Sequence, residues 1–303
     1  MKVRLPAGLL IVLVAAALGA GTASATVSAG STTRYYLALG DSLAAGYQPL
    51  ANGGGANTTQ GYVYRVYDYE RTRIPGLKLF DIACPGDTTS SLLTGRGNLQ
   101  AAKLFRCDRL GGSQLAAAET FLHTHHERGE VALVTIDIGA NDVDGCASSA
   151  PAQIIPCVTD GIQTIAANTP KILAGLRRAA APGTRLVAMN LYDPVLDDWF
   201  LPATNPLQAL GEGSTVLLKE VNTAIQSADR RNGFRTADVA DAFHSYDSID
   251  MVPYNGIEIP KNVAYVCAWT WACSTPPVGP NIHANALGYG VIARAFEQVT
   301  GRL

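Results

Sequence analysis

The stretch YYLALGDSL, residues 35–43, decides the fold class. Its first five residues form an apolar run that ends at Gly40, which is typical of a strand buried inside a parallel sheet. Further runs of this kind follow along the chain, the last of them weaker than the others. They lie at residues 77–83, 131–138 (VALVTIDI), 185–191 and 235–239.

Helix-like segments separate these runs, at about 60–73, 113–127, 160–181, 212–232 and 285–300. The alternation predicts an α/β fold, a three-layer α/β/α sandwich with about five parallel strands. Right-handed crossovers place the C-terminal end of every strand on one edge of the sheet, where ligands bind in open α/β folds. Residues 48–59, 193–211 and 243–282 break the alternation, and we expect them to be long loops.

The first 25 residues have the pattern of a secretory signal peptide. Lys2 and Arg4 precede the apolar run 9–18, and the small residues 23–25 follow it. We therefore expect a signal peptide at 1–25, a single domain at 26–303 and a secreted protein. No second run is long and apolar enough to predict a transmembrane helix, so we expect no stable membrane insertion.

Charge and cysteine content restrict the partners and cofactors. The net charge of −2 gives no electrostatic reason to expect nucleic acid as a partner. Six cysteines allow fifteen pairings, and we predict that neighbours along the chain are bonded. A zinc site is not expected, because the sequence has no CxxC pair and no histidine at ligand spacing to a cysteine pair. The predicted disulfides are Cys84–Cys107, Cys146–Cys157 and Cys267–Cys273.

Four short segments combine residues suited to acyl chemistry. GDSL (40–43), ACPGDT (83–88) and GAND (139–142) each follow a predicted strand, and HANALGY (283–289) lies near the C-terminus. In this order, the segments resemble those of the SGNH hydrolases, the GDSL esterase/lipase family. The resemblance extends from about Tyr35 to the C-terminus, and it is close to secreted bacterial lipases and esterases with several disulfides.

The resemblance implies a flavodoxin-like SGNH hydrolase fold and a role for each matching residue. Ser42 matches the nucleophile and His283 the general base, since a serine hydroxyl needs a base that titrates near neutrality. The backbone N–H groups of Ser42 and Gly86, with the side-chain amide of Asn141, match the oxyanion hole that stabilises negative charge on the ester oxygen. We expect Asp41, next to the nucleophile, to hold the loop rather than the histidine.

The sequence departs from the family at the residue that orients the histidine. The family usually has an aspartate three residues before it, and Pro280 stands there. Three acceptors remain open: a backbone carbonyl of the loop 267–280, the side chain of Asn281, or a carboxylate from elsewhere. We favour the backbone carbonyl, which would make the site a Ser–His dyad.

The predicted function is that of a serine esterase or lipase acting on lipid or small acyl esters. The aromatic and apolar residues 199–201, Trp269 and Trp271 either form an apolar acyl groove or pack within their own loops. One alternative is a carbohydrate or cell-wall O-deacetylase on the same scaffold, and another is a non-catalytic binding protein. No cofactor or catalytic metal is implied, and we expect a monomer.

Overall fold

The computed structural model describes Met1, residues 33–95 and residues 112–301. Every element given below lies in the unit Ser31–Leu303. The strands are β1 (Arg34–Gly40), β2 (Tyr47–Pro49), β3 (Gly55–Asn57), β4 (Leu77–Asp81), β5 (Val131–Asp137), β6 (Arg185–Met189), β7 (Arg235–Ala237), β8 (Met251–Tyr254), β9 (Ile257–Pro260), β10 (Thr270–Trp271) and β11 (Asn281–Ala284).

Eight described helices accompany the strands. They are α1 (Tyr62–Glu70), α2 (Thr89–Thr94), α3 (Gln114–Thr124), α4 (Pro151–Ala179), α5 (Pro206–Arg231), α6 (Val239–Ala242), α7 (Lys261–Trp269) and α8 (Ala286–Thr300). Three short 3₁₀ turns are present as well, at Ala140–Asp142, Asp144–Ser148 and Leu196–Phe200.

The main sheet has the strand order β4-β1-β5-β6-β7, and all of its neighbouring pairs are parallel. The chain runs outward from β1 to β4 and then crosses back to β5 on the other side of β1. The direction of strand progression therefore reverses between β1 and β5. In open α/β sheets a crevice forms at this reversal, beyond the carboxyl ends of the strands.

Both faces of the sheet are covered, as a parallel sheet requires. Successive residues of β1 point to opposite faces and enter two separate apolar clusters. Tyr36 and Ala38 join the cluster that includes α1 and α8, whereas Leu37 and Leu39 join the one that includes α3 and α4. The predicted three-layer sandwich with five parallel strands is confirmed.

Two helices begin earlier than predicted. α4 begins at Pro151 rather than near residue 160, and α5 begins at Pro206 rather than near residue 212. Proline suits the first turn of a helix, because its missing N–H has no intrahelical partner there. The Asn205 side chain then caps α5 by accepting a hydrogen bond from the Leu207 N–H at 3.0 Å.

The three stretches expected to be long loops contain short elements, so that expectation was wrong. Residues 48–59 include most of the β2–β3 hairpin, and residues 193–211 include a 3₁₀ turn and the start of α5. Residues 243–282 contain the β8–β9 hairpin, α7 and the pairing of β10 with β11. The strands of the two hairpins have only three or four residues each, which is too short to show a hydrophobic period.

Two of the three predicted disulfides are present, Cys146–Cys157 and Cys267–Cys273. Cys107 lies outside the described residues, as does nearly all of the predicted signal peptide, so both remain predictions. In the described part of the chain, no helix has the length and apolar character needed to cross a membrane. Across the same residues, no group of three or more His, Cys, Asp or Glu side chains is placed to hold a metal ion.

Candidate active site

Ser42 lies in a tight turn that follows β1 at the carboxyl edge of the sheet. The Ala45 N–H donates to the Asp41 carbonyl at 3.1 Å, and the Tyr47 N–H donates to the Ser42 carbonyl at 2.9 Å. Gly40 has φ +142°, and a Cβ at this position would lie 1.9 Å from Asp137 Oδ1. Only glycine lets the turn approach the end of β5 this closely.

Two buried carboxyl groups brace this turn. Asp41 Oδ1 accepts a hydrogen bond from the Leu43 N–H at 3.0 Å, as expected for a residue that holds the loop. Asp137 accepts hydrogen bonds from the Ala44 N–H at 3.2 Å and from the Tyr62 hydroxyl at 2.7 Å. Burial raises the pKa of Asp41 to about 6, and burial and the charge of Asp41 raise the pKa of Asp137 well above its ordinary value.

His283, on β11, meets Ser42 from the other end of the chain. Its Nε2 lies 2.7 Å from Ser42 Oγ, and its Nδ1 lies 2.7 Å from Asn281 Oδ1. The same Asn281 oxygen accepts the backbone N–H of His283 at 3.1 Å, which fixes the orientation of the amide. Nδ1 therefore carries the proton, and the lone pair of Nε2 faces the serine hydroxyl.

The acceptor for Nδ1 is thus the Asn281 side chain, and the expected backbone carbonyl was wrong. An asparagine two residues before the histidine can fold back onto the ring because β11 is extended there. Its oxygen is shared between the backbone and the ring, in the manner of an Asx turn. The sequence left this possibility open and contained no signal that selected it.

Polar contacts and burial set the position and the charge of His283. The Tyr192 hydroxyl donates to the Ile282 carbonyl at 2.6 Å, and Gln48 Nε2 donates to the Ala284 carbonyl at 2.8 Å. These bonds hold the strand on both sides of the histidine. The Tyr47 ring packs against the imidazole with a centroid distance of 4.3 Å. Burial lowers the pKa of His283 to about 4, so the ring is neutral near pH 7.

Gly86 lies in the turn after β4, beside the turn that contains Ser42. The Cys84 N–H donates to the Gly40 carbonyl at 3.0 Å, which continues the pairing of these two chain segments beyond the sheet. The Asp87 N–H then donates to the Cys84 carbonyl at 3.1 Å and closes a turn in which Gly86 has φ +83°. Such a turn requires glycine at this position.

Asn141 follows β5 in a 3₁₀ turn and lines the same pocket as Ser42 and His283. Its Nδ2 donates to the Asp87 carbonyl at 2.9 Å, so its amide is fixed next to the Gly86 turn. The structure therefore brings Ser42, His283 and Asn141 together on one pocket wall. Gly86 lies in the adjacent turn and is not among the residues that line the pocket.

Gln114, which sequence reasoning missed, links the end of β1 to the Gly86 turn. It is buried, and its Oε1 accepts the Gly40 N–H at 3.1 Å. Its Nε2 donates to the Gly40 carbonyl at 2.8 Å and to Asp87 Oδ2 at 2.6 Å. A glutamine at the start of a helix has no sequence signal for such a role, because the contact depends on the tertiary packing of α3.

The pocket beside Ser42 has an empty volume of about 940 Å³, including its open side. Its walls are mainly aliphatic and come from the start of α4, from α5, and from the segments after β5 and β6. The aliphatic lining residues are Leu43, Val143, Ile154, Val158, Leu191, Val195, Leu210, Leu217, Leu218, Val221 and Ile282. Such a cavity suits an apolar ligand in both size and chemistry.

Of the two interpretations of the aromatic residues, an acyl groove is not the one that the structure supports. Trp199, Phe200, Leu201, Trp269 and Trp271 are all described by the structure, and none of them lines the pocket. Trp269 packs against the Tyr265 ring with a centroid distance of 4.3 Å, and Trp271 Nε1 donates to Gln48 at 3.0 Å. The loops pack around their own aromatic residues, which was the other interpretation of the sequence.

Comparison with known proteins shows which family this chain matches and which solved structures have a similar fold. Residues 38–291 match the family model described as the GDSL-like lipase/acylhydrolase family. The structure is similar to that of an extracellular lipase from Streptomyces rimosus, with 16% identity, coverage of 88% of this chain and 99% of that chain, and a TM-score of 0.52. It is also similar to a protein assigned as a GDSL-like lipase from Parabacteroides merdae, with 15% identity, coverage of 90% and 99%, and a TM-score of 0.50.

A phospholipase A1 from Streptomyces albidoflavus matches with 18% identity, coverage of 88% and 99%, and a TM-score of 0.49. At such low identities the likeness to solved structures concerns the fold alone. Among curated proteins, no significant relative was found.

Proposed function

The chain belongs to the GDSL-like lipase/acylhydrolase family, a family of carboxylic-ester hydrolases, and we propose that it cleaves acyl esters with Ser42 as nucleophile and His283 as general base. The observation that carries the proposal is the 2.7 Å contact between Ser42 Oγ and His283 Nε2 on the wall of an aliphatic pocket. The pocket would take the acyl chain, which favours lipid or longer acyl esters over acetylated sugars.

Acylation begins with a neutral imidazole. Because burial holds the pKa of His283 near 4, Nε2 has a free lone pair at neutral pH and accepts the Ser42 proton. The serine oxygen attacks the ester carbonyl carbon, and the carbonyl oxygen becomes an oxyanion. Collapse of this intermediate breaks the bond to the alcohol oxygen, which takes the proton from His283. A water molecule, activated by the same histidine, then hydrolyses the acyl-serine.

The oxyanion is assigned three donors: the N–H groups of Ser42 and Gly86 and the side-chain amide of Asn141. In support, the Asn141 amide is already fixed by the Asp87 carbonyl at 2.9 Å, and the Gly86 turn is tied to the end of β1. Donors that are positioned before the reaction stabilise the transition state without reorganisation.

The imidazolium that forms during the reaction has no carboxylate partner in this proposal. The Asn281 oxygen accepts Nδ1–H and stabilises the positive charge through its dipole. The Tyr47 ring, 4.3 Å from the imidazole, adds the attraction between a cation and an aromatic face. His283 is therefore oriented firmly but stabilised only moderately when charged.

We also propose that the protein acts outside the cell, since the N-terminal pattern and the two described disulfides both suit an oxidising compartment. The expected monomeric state stays a prediction.

A series of p-nitrophenyl esters from acetyl to palmitoyl tests the proposed function. We expect Ser42→Ala to reduce kcat by more than about 10³-fold on every ester that the unmodified protein cleaves. Ser90→Ala is the matched control, because Ser90 is an exposed serine of a nearby helix. Full activity in Ser42→Ala would rule out the serine mechanism. A strict preference for acetyl esters would instead favour the deacetylase alternative.

A further inference from the structure

Three carboxyl groups line the aliphatic pocket, and two of them already have protein partners. Asp41 accepts the Leu43 N–H, and Asp193 accepts the Ser214 hydroxyl at 2.7 Å and the Val195 N–H at 3.3 Å. The third is Asp144, which is partly buried. Within the described part of the chain, its carboxyl group takes part in no hydrogen bond or ion pair, and the residue lines the pocket.

The position of Asp144 is fixed by its neighbours in the chain. It is the first residue of the 3₁₀ turn Asp144–Ser148, in which the Cys146 N–H donates to the Val143 carbonyl at 2.9 Å. Cys146 is buried and bonded to Cys157, which ties this turn to α4. The carboxyl group is therefore held at the pocket wall. It lies three residues from Asn141, which lines the same pocket.

The charges around Asp144 favour its neutral form. Burial, together with the smaller effect of the nearby Asp41 and Asp142, raises its pKa to about 8. Among the described residues, no lysine or arginine lines the pocket. At neutral pH the group therefore keeps its proton and can both donate and accept a hydrogen bond.

The Asp144 carboxyl group is a polar site without a protein partner on an otherwise mainly aliphatic wall, so a ligand that fills the pocket must either bind it or leave it unpartnered. A purely aliphatic substrate would leave it unpartnered. A substrate hydroxyl would satisfy both its donor and its acceptor. A fixed ammonium group fits less well, because it would lose its own hydration among the aliphatic walls.

We propose that Asp144 is a specificity-determining residue that hydrogen-bonds a hydroxyl group on the acyl chain of the substrate, close to the ester carbonyl. The proposal rests on the proposed function, because it places the acyl chain in this pocket. The hydroxyl is placed near the ester carbonyl because Asp144 and Asn141, whose amide would bind the oxyanion, line the same pocket from consecutive 3₁₀ turns. The implied substrates are esters of acids that carry a hydroxyl group a few bonds from the carboxyl carbon.

The test compares methyl 3-hydroxyoctanoate with methyl octanoate by titration of the released acid. In Asp144→Leu, which keeps the branching at Cγ but removes the polar atoms, we expect the ratio of kcat/KM for the hydroxylated over the plain ester to fall at least about tenfold. Asp144→Asn retains a donor and an acceptor, so its ratio should stay within about threefold of the unmodified protein. Asp160→Asn, an exposed change on α4, is the control.

An unchanged ratio in Asp144→Leu would overturn the inference and leave the proposed function intact. A ratio that responds only when the hydroxyl is at the far end of the chain, as in methyl 8-hydroxyoctanoate, would also overturn it. If the unmodified protein hydrolyses neither ester, the proposed function fails, and the inference fails with it. Should the leucine variant not fold, Asp144→Ala carries the same expectation for the ratio.

Discussion

At the scale of single residues, the histidine of this site is oriented by an amide. The Asn281 oxygen accepts Nδ1–H at 2.7 Å and so sets the tautomer of His283, but it has no full negative charge. Burial therefore lowers the pKa of the ring to about 4 without opposition from a carboxylate. The base stays neutral in mild acid, where a histidine paired with an aspartate would already be protonated.

Substitution of Asn281 tests this account. For the unmodified protein we expect kcat/KM to fall with acid only near pH 4, since the base loses activity when it is protonated. Asn281→Asp introduces a negative charge that favours the imidazolium, so the pKa of His283 rises and the acid limb moves to higher pH. Asn281→Ala removes the acceptor and should lower kcat about 10- to 100-fold. The measurement is the pH dependence of kcat/KM on one ester, for the unmodified protein and for both variants.

Asn52→Asp serves as the control for this experiment, because Asn52 lies in the exposed β2–β3 turn and only caps it locally. Its profile should match that of the unmodified protein. An acid limb that does not move in Asn281→Asp would contradict the assignment of Asn281 as the residue that orients His283.

At the scale of elements, the depth of the pocket depends on one face of α5. Leu217, Leu218 and Val221 line the pocket, whereas Val216 on the same helix is 67% exposed to solvent. Leu217→Trp should fill part of the cavity and lower kcat/KM for decanoyl and longer esters at least about tenfold, with acetyl and butyryl esters little affected. Activity along the p-nitrophenyl ester series measures this shift.

Val216→Trp is the matched control, because it adds the same side chain one residue away on the solvent face. Its chain-length preference should equal that of the unmodified protein. If Leu217→Trp also keeps the original preference, the acyl chain does not bind between α4 and α5, and the assignment of the pocket is wrong.

At the scale of elements, the strands were predictable from the sequence, whereas the directions of individual side chains were not. The runs that became β1 and β5 are long and buried on both faces, so their composition alone identified strands and their carboxyl ends located Ser42 and Asn141. The direction of a side chain could not be predicted from composition. Trp269 and Trp271 are near His283 in sequence, yet their rings turn away from the pocket. The pocket walls come from helices whose apolar residues look like any core-facing set.

At the scale of the whole molecule, burial dominates the titration of several carboxyl groups in the described part of the chain. Burial raises the pKa of Asp81 and Asp229 to about 7 and that of Asp144 to about 8. In the unfolded chain these groups titrate near pH 4. A pKa raised by folding contributes stability that is complete below the unfolded value and is lost as the pH rises through the folded value.

We therefore expect the protein to be less stable at pH 9 than at pH 6.5, with a Tm lower by at least about 3 °C. His283 does not contribute in this window, since its lowered pKa affects stability only below its unfolded value of about 6.5. Calorimetry at the two pH values measures the difference, and it should be smaller in Asp144→Asn. An equal or higher Tm at pH 9 would show that these carboxyl groups have solvent or partners that keep their pKa values low.

The serine and the histidine that meet at 2.7 Å are 241 residues apart in the chain. During synthesis the serine therefore leaves the ribosome long before its partner, and an unfinished chain has a hydroxyl group but no base beside it. Only when β11 and α8 dock does the site come into existence. An ester hydrolase built in this order stays latent toward the esters of the cell that makes it until β11 and α8 have folded into place.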